Sequence, residues 1–279
     1  MITIIFAPPR TGKTCFMTHM LCLHAFDRER NRKMQSELLN KIQNGFSNIK
    51  TIPLHCVSAN YNCTFKKFGY SPRFNRKINP FRLGFANEFV KTHFNLPYEV
   101  IGIQEGQQYL NSRMSLYYPD WQSRWYEQHG HDDIKIYLDT QRPYLIDVNV
   151  RELSNFTEIV KLEKRFDDFG KIKSLSWKVR KIDNSSLFDR YMASGKKDKS
   201  CYSEEIVTAN YNVFDCYDSK SCNPKFYEGH FDEDIDYIES SYLDKTYEGY
   251  LKYLQQDYDE IPANFFKKRS SKWILIKII

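Results

Sequence analysis

Ala7-Pro8-Pro9-Arg10-Thr11-Gly12-Lys13-Thr14 follows directly on Ile2-Thr3-Ile4-Ile5-Phe6, with a helical stretch after it. Apart from Ala7, which stands where the first glycine of G-x-x-x-x-G-K-[ST] belongs, this is a phosphate-binding loop. Pro8, Pro9, Arg10, Thr11, Gly12, Lys13, Thr14 and Cys15 form the expected nucleotide-binding segment. Backbone N–H groups of such a loop turn inward around the β-phosphate, and the helix after it presents its positive end to the same anion. Lys13 is expected to reach the β- and γ-phosphates, and the Thr14 hydroxyl to bind Mg²⁺. Gly12 lets the backbone approach the phosphate where a Cβ would collide. ATP and Mg²⁺ are therefore the expected ligands.

Two further strand ends carry candidate chemistry. Enzymes with this loop normally close a second strand with Asp-Glu, the Asp holding the metal's water shell and the Glu polarising the attacking water. Here the pair is Gln104-Glu105. Glu105 can still orient or deprotonate water, whereas Gln104 is a neutral, weaker partner that reaches the metal through water. Two outcomes are open: slow hydrolysis with Thr14 carrying the metal, or ATP binding without turnover. Thr140-Gln141 ends the next strand, and Gln141 is expected beside the γ-phosphate. Arg113, Arg124, Arg142 and Arg151 all follow strand ends. Arg142 and Arg151 are the candidates for an arginine acting on a neighbouring subunit's nucleotide. His129-Gly130-His131-Asp132-Asp133 offers metal-ligand types but reads as a loop and cap. The basic, aromatic stretch 64–85 suits a single nucleic-acid strand, a partner's docking loop or a membrane surface.

The elements that must position these residues are legible from periodicity. Residues 2–7 read as a central strand, with helix from Lys13 to Leu23 and again over 27–43. Residues 55–60 form a second strand, and 61–86 are irregular. Glu99–Ile103 is a third strand and Ile134–Leu138 a fourth. Trp121–Gln128 and Asp147–Leu153 read as helices. Residues 158–166 and 171–182 alternate apolar and polar around Phe169-Gly170, a hairpin signal. Strands alternating with helices predict an α/β three-layer sandwich of the P-loop NTPase type with a mostly parallel central sheet. To it are added a C-terminal β-hairpin and an acidic helical extension. Ligands in such sheets sit beyond the carboxyl ends of the strands, where all three candidate segments fall.

Composition sets the remaining bounds. With 279 residues, 41% of them apolar, the chain can hold one full α/β domain and an appendage. The expected division is residues 1–183 as the ATPase domain, 184–260 as an acidic extension and 261–279 as a basic tail. Residues 184–260 hold 17 acidic against 8 basic residues, whereas positions 38–87 hold eight Lys/Arg and no acid. Within the extension, 194–203 reads as a flexible linker and 235–254 as a helical layer. The seven cysteines lack paired metal-ligand spacing and read as reduced thiols of a cytoplasmic protein. Met1 leading straight into a strand leaves no room for a signal peptide.

Taken in order, Pro8–Thr14, Val100–Glu105 with Gly106-Gln107-Gln108, His129-x-x-x-Asp133-Ile134, Thr140-Gln141, Ile146-Asp147 with Val150-Arg151-Glu152-Leu153, and Asn212–Ser219 resemble one family. It is the zonula occludens toxin (Zot) and filamentous-phage assembly ATPase family, and the resemblance covers roughly residues 1–220. It implies an ATPase domain on the cytoplasmic side of the bacterial inner membrane, working as a homo-oligomeric ring. A phage-encoded assembly partner and an outer-membrane secretin are the implied partners. Single-stranded DNA or capsid protein is the implied cargo, and virion assembly and extrusion the implied task. Ala7 and Gln104 depart from the family's loop and acidic pair, which bears on turnover more than on binding. Family members carry a transmembrane helix after the ATPase domain. Here Lys267–Lys272 leads into the seven residues Trp273–Ile279, against the roughly 20 that a span needs. The expectation is an incomplete span with a positive flank and an interfacial Trp, able to meet an anionic leaflet. A cytoplasmic DNA-packaging translocase and a nucleotide-gated scaffold without turnover are the competing readings.

Overall fold

The computed structural model describes residues 1–43, 55–65, 70–73, 75–78, 80, 83, 97–113 and 120–218. In chain order the strands are β1 (Ile2–Phe6), β2 (Val57–Ala59), β3 (Asn62–Phe65), β4 (Tyr70–Arg73), β5 (Arg76–Lys77), β6 (Val100–Ile103), β7 (Lys135–Thr140), β8 (Ser154–Phe166), β9 (Ile172–Ile182), β10 (Ser203–Ala209) and β11 (Tyr217–Asp218). The helices are α1 (Lys13–Ala25), α2 (Arg28–Gln43), α3 (Asp120–Gln128), α4 (Val148–Glu152) and α5 (Ser185–Ala193). One eight-stranded sheet runs β10-β9-β8-β1-β7-β6-β2-β5, and β11-β3-β4 form a small second sheet. From β8 through β5 every pairing is parallel, while β8-β9 and β9-β10 are antiparallel. This is the α/β architecture with a mostly parallel central sheet expected from the sequence.

The parallel strands are covered on both faces, and residue parity decides which layer each side chain joins. Ile2, Ile4 and Phe6 of β1 enter one core cluster with Ile101 and Ile103 of β6, Ile136 and Leu138 of β7, and Phe188 of α5. Ile5 and Ala7 point the other way, into a cluster with Phe16, Met17 and Leu21 of α1, Val100 of β6 and Tyr137 of β7. Thus α1 lies over one face and α3, α4 and α5 over the other. Gly102 on β6 permits the close approach of α1, since a Cβ there would sit 2.6 Å from Leu21 Cδ1.

Several expectations are corrected. The expected β8-β9 hairpin is built into the sheet: β8 pairs in parallel with β1 from Ile2↔Ser154 to Phe6↔Glu158. The division expected at residue 183 falls inside the domain, because α5 packs Phe188 against Phe6 and Phe156 and β10 extends the sheet. The linker read over 194–203 is a fixed connection. Gly195 and Lys196 turn in the left-handed region, a 3₁₀ turn spans Lys199–Cys201, and Lys196 Nζ donates to Glu158. The irregular reading of 61–86 gives way in part to β3, β4 and β5. Residues 235–254, the tail 261–279, and much of 64–85 lie outside the described residues. Among the described residues no helix is long and apolar enough to cross a membrane.

Trp177 of β9 joins the hairpin to α1. It is fully buried, meets Phe16 edge-on with centroids 5.6 Å apart, and stacks on His19 at 5.4 Å. Trp177→Ala is expected to lower unfolding free energy by about 3–5 kcal/mol, read as a shift of the urea midpoint at unchanged slope.

Candidate nucleotide site

The loop between β1 and α1 takes the shape that its residues dictate. Arg10 and Gly12 both have positive φ, at 62° and 86°, and between them they wrap the backbone into a concave turn. Gly12 immediately precedes α1, and its carbonyl accepts the first helical bond from Phe16 N at 2.8 Å. The structure gives Gly12 a reason beyond phosphate approach: a Cβ there would lie 2.8 Å from Leu162 Cδ2 of β8. Ala7, the departure from the consensus, is buried with the α1-side core and is not among the left-handed residues, so its methyl group costs the loop nothing. The Pro8 carbonyl gathers the loop, accepting from Thr11 Oγ1 at 2.7 Å and Lys13 Nζ at 3.2 Å. Pro8, Pro9 and Arg10 are exposed around the opening.

Across from the loop stand the ends of β6 and β7. The Gln104 backbone is pinned on both sides by Asn60: Gln104 N donates to Asn60 Oδ1 at 2.8 Å, and Asn60 Nδ2 donates to Gln104 O at 3.1 Å. Its side-chain Oε1 is buried and accepts no hydrogen bond from any described residue. Glu105 turns the chain out of the strand in the left-handed region, φ 55°. Its carboxylate accepts from Gln107 Nε2 and is half-buried at the sheet edge.

Sequence reasoning passed over Asp139. This residue of β7 is fully buried, accepts from Thr14 Oγ1 at 2.6 Å through Oδ2, and accepts from Glu105 N at 2.7 Å through Oδ1. One carboxylate thus ties the loop threonine to the backbone of the Glu expected to handle water. Burial pushes its pKa up to about 6, against the lowering effect of those two hydrogen bonds. The signal was present in the sequence as parity. Asp139 shares the face of Tyr137 by parity, and the packing of α1 over that face buries its carboxylate beside Thr14.

The other predicted residues are placed as follows. Cys15 is buried below the loop in the α1-side core. Thr140 is paired with Phe6 in register, and its Oγ1 accepts from Arg142 N at 3.2 Å, so Gln141 and Arg142 stand exposed just beyond β7. Arg151 is directed elsewhere, its guanidinium 5.1 Å from the centre of the Tyr144 ring. Arg113 and Arg124 are exposed. His129 Nδ1 donates to Tyr126 O at 2.6 Å, and Nε2 lies 2.7 Å from the Met1 nitrogen.

The residues present fit a nucleotide and its divalent cation. The concave loop with Lys13 suits a phosphate chain. Thr14 Oγ1, the Asp139 carboxylate and the orphaned Gln104 Oε1 are hard oxygen donors of the kind Mg²⁺ takes.

Comparison with known proteins finds no matching family model and no matching curated protein. Among solved structures the chain is similar to the N-terminal domain of zonular occludens toxin from Neisseria meningitidis. The identity is 18%, the match covers 78% of this chain and 98% of that one, and the TM-score is 0.45. It is also similar to the genome packaging NTPase B204 from Sulfolobus turreted icosahedral virus 2. In complex with ATP-gammaS that protein matches at 10% identity over 74% of this chain and 95% of the other, with TM-score 0.34. In complex with sulfate it matches at 9% identity over 74% and 94%, with TM-score 0.32.

Proposed function

We propose that the chain binds and hydrolyses ATP, and that it is a subunit of a ring-shaped motor for filamentous-phage assembly and extrusion at the bacterial inner membrane. The observation that carries the nucleotide part is the loop itself: the P-loop sequence is bent around Arg10 and Gly12, with Thr14 hydrogen-bonded to a buried carboxylate. The order and spacing of motifs from Pro8 to Ser219 support the motor and extrusion part. On this reading the partners are further copies of the chain, a phage assembly protein and a secretin. Single-stranded DNA or capsid protein is the cargo, and the ATPase domain faces the cytoplasm.

The residues divide the work. Loop N–H groups and the positive end of α1 bind the phosphates, and Lys13 exchanges the Pro8 carbonyl for phosphate oxygens. Glu105 orients the attacking water and takes its proton, its carboxylate steadied by the Gln107 amide. Mg²⁺, when bound, neutralises charge on the phosphate oxygens. Gln141 and Arg142, exposed at the same edge, are the residues available to sense the terminal phosphate in their own or a neighbouring subunit.

The test is steady-state ATP hydrolysis by wild type and Lys13→Ala. Removal of one charge-stabilising donor is expected to lower kcat by about 10²–10³-fold. A wild type that binds ATP without turning it over would convert the reading to a nucleotide-gated scaffold, with the motor in a partner.

A further inference from the structure

The acidic residue missing from the end of β6 has a substitute on the neighbouring strand. In P-loop enzymes the metal-side carboxylate closes the strand that here ends in Gln104, a neutral side chain. We propose that Asp139 of β7 supplies that carboxylate instead, holding a divalent cation beside Thr14, with Gln104 Oε1 receiving one of the cation's waters. This rests on nucleotide binding at the P-loop and names the metal-side residue of that site.

Four observations carry it. Thr14, the loop residue that ligates metal in such sites, already donates its hydroxyl to Asp139 Oδ2 at 2.6 Å. Neighbouring ligands of an octahedral ion at 2.0–2.1 Å stand about 2.9 Å apart, so these two oxygens are spaced to share one cation with little movement. Asp139 is fully buried and forms no salt bridge among the described residues, while the amine of Lys13 faces the Pro8 carbonyl. A buried carboxylate with two neutral donors and no cation in contact is electrostatically incomplete. Gln104 adds an independent mark, because its Oε1 is a buried acceptor with no partner, on a backbone that Asn60 holds rigidly.

Register explains how the exchange of strands works. Asp139 is paired with Ile5 on β1, two residues before the loop begins, and shares the α1 face with Tyr137. It is therefore one strand nearer to the loop than residue 104, and its second oxygen fixes the Glu105 amide. A cation drawn to Asp139 is consequently linked through one side chain to the residue that handles water.

The experiment titrates a fluorescent, non-hydrolysable ATP analogue into the full chain, once with excess Mg²⁺ and once with EDTA. Wild type is expected to bind more tightly with Mg²⁺. Asp139→Asn should keep the EDTA affinity and lose about 10–100-fold of the Mg²⁺-dependent gain, and adding Gln104→Asp to that variant should restore part of it. A full Mg²⁺-dependent gain in Asp139→Asn overturns the assignment and leaves the nucleotide reading standing. No binding by wild type in either buffer overturns both. If Asp139→Asn does not fold, Fe²⁺ in place of Mg²⁺ on the nucleotide-loaded wild type, with peroxide, decides the matter. Backbone cuts at residues 138–140 together with 13–15 support the assignment, and cuts confined to 13–15 and 104–105 overturn it.

Discussion

Glu105→Gln is expected to lower ATP turnover by about 10²–10⁴-fold, the usual worth of a positioned general base, while leaving nucleotide affinity within a factor of about two. The substitution is clean because it removes only the charge. A glutamine at 105 still presents an oxygen to Gln107 Nε2, and its backbone N–H still donates to Asp139. The left-handed turn at φ 55° is thus retained, so a loss of rate cannot be ascribed to a rearranged strand end. The competing base at this edge is Asp139, but both its oxygens are engaged and it is wholly buried, whereas Glu105 is half-buried. Steady-state kcat beside equilibrium binding of a fluorescent ATP analogue reads the two quantities separately. Equal kcat in wild type and Glu105→Gln would remove Glu105 from the chemistry.

The second large effect is a loss of stability in mild acid. His19, His24 and His55 are buried under the helices of the α1 face, 2.9 Å from the Tyr211 hydroxyl, 3.1 Å from the Tyr137 hydroxyl, and donating to Ala25 O at 2.6 Å, respectively. Burial pushes all three imidazoles down: His19 and His55 to about 4, and His24 to about 3, the last helped by Lys135 and Arg30 nearby. The unfolded chain takes up these protons near pH 6.5, and the folded chain refuses them. Their contribution is therefore complete above pH 6.5 and is lost as pH falls towards 4. Asp139 works the opposite way in part of the same window, since its folded pKa of about 6 lies above that of a free carboxylate. At pH 5 each histidine withdraws about 2 kcal/mol and Asp139 returns about 1, a net loss on the order of 5 kcal/mol. That equals the whole stability of a marginal domain. Urea unfolding at pH 7 and pH 5 should show the midpoint falling steeply, and coincident curves would show that these histidines are reached by water.

Both effects trace to the way α1 lies on the sheet. Its first turn holds the phosphate loop, and its body covers the histidines, Trp177 and the strand face from which Asp139 projects. Destabilising the α1 face, by acid or by Trp177→Ala, is accordingly expected to loosen nucleotide binding as well as the core.

The phosphate loop, β1, α1, α2, β6, β7, α3, α4 and the β8-β9 hairpin are determined by the sequence on its own. Each depends on neighbours within a few residues: β-branched runs, turn residues at fixed offsets, an alternation around Phe169-Gly170, or an apolar stripe. The same locality makes Gly12, Lys13, Thr14 and Glu105 recognisable as candidate site residues. The hairpin's place is a different matter, because a strand's partner is chosen by burial on both faces. Only the folded sheet shows β8 lying parallel to β1 rather than hanging from it. For the same reason the acidic composition after residue 183 does not mark a domain boundary, since the apolar Phe188 and Tyr191 of α5 are enough to seat that helix. Asp139 is the sharpest instance. Its type and parity are in the sequence, but its role comes from a hydrogen bond to a residue 125 positions away and another to one 34 positions away. Nothing local distinguishes a strand aspartate facing water from one facing Thr14; the packing of α1 over β7 makes that choice, by deciding which face of the strand is dry.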